Sequence, residues 1–92
     1  MTYTLRYSGQ FKRSYKLCKK RGFDMSKLQE VLRLLAQDGS LPIKYRPHIL
    51  SGRDWAGCWE CHIEPDWLLV WEQNDGDLVL LLLDTGTHAD LF

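Results

Sequence analysis

Three histidines, His48, His62 and His88, and the aspartate Asp66 are the residues of this 92-residue chain with the most chemistry to offer. Imidazole titrates close to neutral pH, so one ring can take a proton while another gives one back. A cluster of His62, Asp66 and His88 suits RNA cleavage by internal attack of the 2′-hydroxyl on the adjoining phosphate. That reaction needs a base for the hydroxyl proton, an acid for the departing 5′-oxygen and positive charge for the phosphorane between them. Histidine serves in all three roles. Phe92 adds a ring on which a nucleobase can stack, an interaction of about 1–3 kcal/mol; read alone, it plugs the core equally well.

For these groups to work together, strands must position them. If Trp55 to Ile63 form a strand, side chains alternate, with Cys58, Glu60 and His62 on one face and Trp59, Cys61 and Ile63 on the other. Asp66 follows in the turn Glu64-Pro65-Asp66, where Pro65 presets the backbone. In an antiparallel meander the start of the next strand and the end of the last one return to the same sheet edge, so His62, Asp66 and His88 can meet there.

The stretch Cys58-Trp59-Glu60-Cys61-His62 also fits C-x-x-C-H, the pattern of covalent haem attachment, and with His48 or His88 it can be drawn as a zinc site. Strand alternation sends the two sulfurs to opposite faces, which argues against both. Haem attachment would further need export, and the opening MTYTLRYSG lacks the apolar core of a signal peptide. No cofactor and no metal are expected. Cys61 reads as a small core residue, whereas Cys58, sharing a face with His62, reads as a thiol open to partial activation. The odd count of three cysteines points to reduced thiols in a cytoplasmic protein.

The remaining elements follow from spacing and punctuation. Tyr3, Leu5 and Tyr7 alternate, giving a strand over 2–7. Ser8 caps a helix from Gln10 to Arg21 in which Phe11, Tyr15 and Cys18 form a narrow apolar stripe, and Gly22 ends it. Asp24 caps a second helix carrying Leu28, Val31, Leu32 and Leu35, with Gly39 as its stop. So short a connection predicts an antiparallel helix hairpin. Residues 39–54 show no period and read as a long functional loop. Two strands, Trp55–Ile63 and Trp67–Gln73, and a third, Leu78–Leu83, buried on both faces, complete the chain. The expected class is α+β, one domain over 1–92: an N-terminal strand, two helices, then a three-stranded meander in one sheet with the helices on one face.

Net charge is zero, yet residues 1–53 hold all twelve Lys and Arg against three acids, a net +9, and residues 54–92 hold nine acids and no Lys or Arg, a net −9. Lys12, Arg13, Lys16, Lys19, Lys20 and Arg21 crowd the first helix, a surface for phosphate or an acidic partner as much as a solvated face. The longest apolar run is far too short to span a bilayer.

The stretches "YSGQFKRSYK", "LPIKYRPHILSG", "HIEPDWLLVW" and "TGTHADLF" together resemble the YafQ-type toxins of the RelE superfamily, from bacterial type II toxin-antitoxin systems. The resemblance runs along essentially the whole chain. It implies a RelE-like fold, an mRNA interferase (an endoribonuclease acting on translated message on the ribosome) and a cognate antitoxin that silences it. Carried over by position, His48, His62, Asp66, His88 and Phe92 match the family's active-site set, with Glu60 where an aspartate is common. The roles implied are His62 or His48 as base, His88 as acid and Asp66 as the group orienting an imidazole. The basic helix, through Lys12, Arg13, Lys16, Lys19 and Lys20, would face ribosomal RNA or an acidic antitoxin segment. One position departs: the family usually has a basic residue just before T-G-T-H, and this chain has Asp84. If that acid points into the site it repels the scissile phosphate, and Arg53, Arg46 or a protonated histidine must supply the charge. Two other outcomes on the same fold are a gyrase inhibitor of the ParE branch, which lacks the histidine set, and an inactive antitoxin-binding remnant.

Overall fold

Alternation at the start of the chain produces the four-residue strand β1 (Thr4–Tyr7) in a computed structural model that describes residues 2–92. The Ser8 hydroxyl then accepts the Phe11 N–H and caps α1 (Gly9–Lys20). Asp24 does the same for α2 (Met25–Asp38) by accepting from Ser26, and Gly39 ends α2 in the left-handed region at φ 66°. A Cβ at Gly39 would lie 2.3 Å from the Tyr3 ring, so glycine is required there for space as well as for backbone angle. A single 3-10 turn, Ile43–Tyr45, leads to the two-residue strand β2 (His48–Ile49). After it come β3 (Trp59–Glu64), β4 (Trp67–Asn74), β5 (Val79–Gly86) and a terminal helical turn, α3 (His88–Leu91).

The strands form one five-stranded mixed sheet in the order β1-β5-β4-β3-β2, with β1 parallel to β5 and the other pairs antiparallel. Because α1 starts at the end of β1 and α2 returns to its beginning, where Tyr3 N–H bonds Ala36 O at 2.6 Å, the two helices run antiparallel. They lie over one face of the sheet, α1 against β5 and α2 against β3. Phe11 and Cys18 from α1, four apolar residues of α2, and Cys61, Ile63, Trp67, Leu69, Trp71, Leu80 and Leu82 from the strands fill the layer between.

Three sequence expectations need correction. Residues 39–54 are not all loop, since His48–Ile49 pair with Glu60–Trp59 and add a fifth strand. The third strand begins at Trp59 rather than Trp55: Cys58 N–H bonds Trp55 O at 2.9 Å and Gly57 N–H bonds Leu50 O at 3.1 Å, closing a turn before pairing starts. Finally, β5 is buried on one face only. Leu80 and Leu82 are sealed under the helices, whereas Leu81 and Leu83 are half-buried on the face that carries no helix.

The cysteines do part: Cys61 joins the helix-side core from β3, and Cys58, buried in the turn just before that strand, does not. Burial pushes both thiols up, at Cys61 most strongly, and Glu72 adds to the effect at Cys58. Cys58 is therefore a resting thiol rather than a partly activated one. Among the described residues no helix is long and apolar enough to cross a membrane.

Candidate active site

Sheet register brings the ionisable residues together. Across β3 and β4, His62 opposes Leu68 and Glu60 opposes Val70; across β2 and β3, His48 opposes Glu60. Directly opposed residues point to the same side of a sheet, so His48, Glu60 and His62 share the side away from the helix-packed core. Leu68 and Val70, buried but outside that core, form the floor beneath them.

The β3–β4 turn and the end of β5 supply the rest. Trp67, the residue after Asp66, is fixed by its indole N–H on Thr85 Oγ1 at 3.0 Å and by the edge of Phe23, 5.0 Å between centroids. At the other end of the same pairing, Leu68 opposes Gly86, which delivers α3 to the turn. Asp66 then accepts both the backbone N–H of His88 at 2.9 Å and its ring Nδ1 at 2.6 Å. α3 opens with a capping box in which the Thr87 hydroxyl accepts from Asp90 N–H and the Asp90 carboxylate accepts from Thr87 N–H. A Cβ at Gly86 would stand 2.8 Å from Asp90 Oδ2 and 3.1 Å from Leu91, so this glycine lets α3 fold back onto its own strand. Four residues apart, His88 at the start of α3 and Phe92 at its C-cap share a face.

The outcome is a row of four rings. Centroids are 6.3 Å apart from His48 to His62, 5.7 Å from His62 to His88 and 6.5 Å from His88 to Phe92. Phe92 is 61% exposed, which removes the core-plug reading and leaves its ring open for stacking. Each imidazole is oriented by an acceptor at Nδ1: Arg46 O at 2.9 Å for His48, Pro65 O at 3.3 Å for His62 and the Asp66 carboxylate for His88. A carbonyl oxygen can only accept, so it takes the Nδ1 hydrogen and turns Nε2 away. For His48 and His62 the Nε2 atoms face the buried Glu60, at 3.2 and 3.8 Å from its Oε1. The Asp66 carboxyl is held below its usual range by the His88 backbone N–H first and the His88 ring second.

Of the sequence candidates, His48, Glu60, His62, Asp66, His88 and Phe92 converge. Arg46 contributes its carbonyl, and its exposed side chain, like that of Arg53 in the 53–57 turn, is joined to the rings by no hydrogen bond or ion pair among the described residues. Asp84 does not face the rings. Its Oδ1 accepts from the Ser14 hydroxyl of α1 and from Thr85 N–H, so the acid is spent holding α1 to β5 and the feared repulsion has no source there. Lys12, Arg13, Lys16, Lys19 and Lys20 are exposed on α1 and make no ion pair among the described residues.

Sequence reasoning missed the partner of the sixth cation. Arg21 forks onto Asp90, Nη1 to Oδ2 at 2.7 Å and Nη2 to Oδ1 at 3.2 Å, across 69 residues of chain. No local pattern signals it. Arg21 and the Thr87 backbone pull the Asp90 carboxyl down from 3.8 to about 2. A depressed carboxylate adds stability that is present above its unfolded pKa and lost as pH falls through the folded one. Asp90→Asn should therefore cost about 1 kcal/mol at pH 7 after screening of this part-exposed pair, with wild type and variant converging between pH 4 and 2; urea melts across that window measure it.

A family model described as the bacterial toxin of type II toxin-antitoxin system, YafQ, matches residues 3–92. The mRNA interferase toxin YafQ of Escherichia coli K12 is 42% identical over 89 residues, covering 96% of this chain and 94% of that protein. The crystal structure of YafQ from E. coli BL21(DE3) superposes with a TM-score of 0.89 at 40% identity over 98% of each chain. The toxin chain in the crystal structure of the E. coli DinJ-YafQ toxin-antitoxin complex gives 0.88 at 40% identity, covering 100% of this chain and 99% of that one.

Proposed function

Since this chain belongs to the YafQ family of bacterial type II toxin-antitoxin toxins, we propose that it is an endoribonuclease that cuts messenger RNA on the ribosome by acid-base catalysis through its histidine row. The observation that carries this reading is the convergence of three imidazoles, from β2, β3 and α3, beside one exposed aromatic ring. We read the arrangement as RelE-like and as one domain over 1–92.

In the proposed reaction the 2′-oxygen attacks phosphorus while its proton passes to His62, or to His48 beside it. The bond from phosphorus to the 5′-oxygen breaks, and His88 gives that oxygen a proton, leaving a 2′,3′-cyclic phosphate and a 5′-hydroxyl. Asp66 supports the acid: by taking the Nδ1 hydrogen of His88 it leaves Nε2 to face substrate. Glu60, facing the Nε2 atoms of His48 and His62, favours whichever ring has taken up the proton, and imidazolium supplies the positive charge that no Lys or Arg after residue 53 can provide. Phe92 stacks a base of the bound message.

Ribosome and antitoxin enter through charge. The unpaired cations Lys12, Arg13, Lys16, Lys19 and Lys20 of α1 offer a phosphate-binding face, and an acidic segment of a cognate antitoxin competes for it. The relative solved with its antitoxin DinJ supports such a partner. The cytoplasm, where messages are translated, is its place of action.

Purified protein added to a translating extract should cut translated message and leave 5′-hydroxyl ends, with DNA gyrase supercoiling unaffected in parallel. Intact message would overturn the reading, in favour of the ParE-type activity if supercoiling stops and of a non-catalytic antitoxin-binding protein if it does not.

A further inference from the structure

Arg21 stands apart from the five cations that precede it on α1. Where they make no ion pair among the described residues, its guanidinium grips both oxygens of Asp90. The same carboxylate also accepts Thr87 N–H at 2.9 Å, so one side chain both closes the N-terminal cap of α3 and ties α3 to the end of α1. α3 has only four residues, too few to hold a helical turn unaided. Its placement depends on Asp66 gripping His88, on the close approach over Gly86, and on Arg21. Successive helical residues turn by about 100°, so Asp90 points toward α1 while His88 and Phe92 occupy the opposite face.

We propose that Arg21 is a positioning residue for the reaction: acting through Asp90, it fixes the rotation of α3 about its axis and so places the His88 Nε2 and the Phe92 ring against the nucleotide. Without it Asp66 still holds the His88 side of α3 and Leu91 still packs over Gly86, but no other hydrogen bond or ion pair among the described residues ties α3 to α1. Exposed ion pairs add little to stability, so the fold should survive without the pair while the geometry of the tail does not. The kinetic part of the test rests on the nuclease reading above; the spectroscopic part does not.

Arg21→Gln and Arg21→Lys proteins would be compared with wild type for first-order message cutting at saturating ribosomes, for the half-saturating ribosome concentration, and for the NMR signals of the His88 and Phe92 rings. A displacement of the acid by a fraction of an ångström should lower the saturating rate of Arg21→Gln about tenfold. Its half-saturating concentration should stay within about twofold, the pattern of an interaction that matters in the transition state rather than in binding. Arg21→Lys, which keeps a cation for Asp90, should restore most of the rate. In Arg21→Gln the two ring signals should move. Unmoved ring signals would overturn the proposal, and so would an intact saturating rate with weakened ribosome binding, the mark of a simple phosphate contact. If wild-type protein itself cuts nothing, the nuclease reading falls, and the ring signals alone decide the role of Arg21.

Discussion

Replacing His88 with alanine should lower the rate of message cleavage by roughly 10²–10⁴, the usual worth of one positioned proton transfer. The ring is exposed and its only hydrogen-bonding partner among the described residues is Asp66, so removing it takes nothing from the core. Thermal melting should change little, which separates a defect in chemistry from a defect in fold. His62→Ala should act on the same scale, although His48, 6.3 Å away and on the same Glu60 oxygen, can stand in for part of the base function. The two effects should not multiply in the double variant, because groups that act as a unit are not additive. Quantifying message ends in a translating extract gives the comparison; wild-type rates from both single variants would end the acid-base assignment.

The second large effect is one of binding. Turning Lys16, Lys19 and Lys20 into glutamate removes three cations from a helix on which none of them is paired among the described residues, and puts three anions in their place. Every phosphate that is no longer neutralised should flatten the salt dependence by about 0.7–0.9 in log-log slope, so affinity for ribosomes at low salt should fall by at least about 10²-fold. At high salt the difference should shrink. Once saturated, the cutting rate should hold, since the α3 face that carries His88 is turned away from α1. Co-sedimentation with ribosomes over a salt series measures the slope, and equal slopes for the two proteins would remove α1 from the interface.

Much of the frame was legible because its signals are local. Ser8 and Asp24 cap the helices that their positions announce, Gly39 stops α2 in the one conformation and space glycine fills, and the alternation through Glu60 and His62 set which side chains share a face. Combined with an antiparallel meander, that alternation was enough to bring His62, Asp66 and His88 to one edge. What escaped was long-range. Two residues, His48 and Ile49, are too few to show a period, and they become a strand only because Trp59 and Glu60 offer an edge to pair with. For the same reason His48 came to the site through the family resemblance and not through its own sequence context. The direction of Asp84 depends on Ser14, 70 residues away, and the partner of Arg21 lies 69 residues ahead. Spacing within a segment carries no record of such pairings.

The parallel pairing of β1 with β5 joins the first strand of the chain to the last. During synthesis, therefore, Thr4–Tyr7 must wait until Val79–Leu82 have been made before they find their neighbour, and pairings so remote in sequence form slowly. The tail bearing His88 and Phe92 emerges later still. A chain released before residue 88 lacks His88 and Phe92, so this topology holds back assembly of the ring row until β5 and α3 have been made.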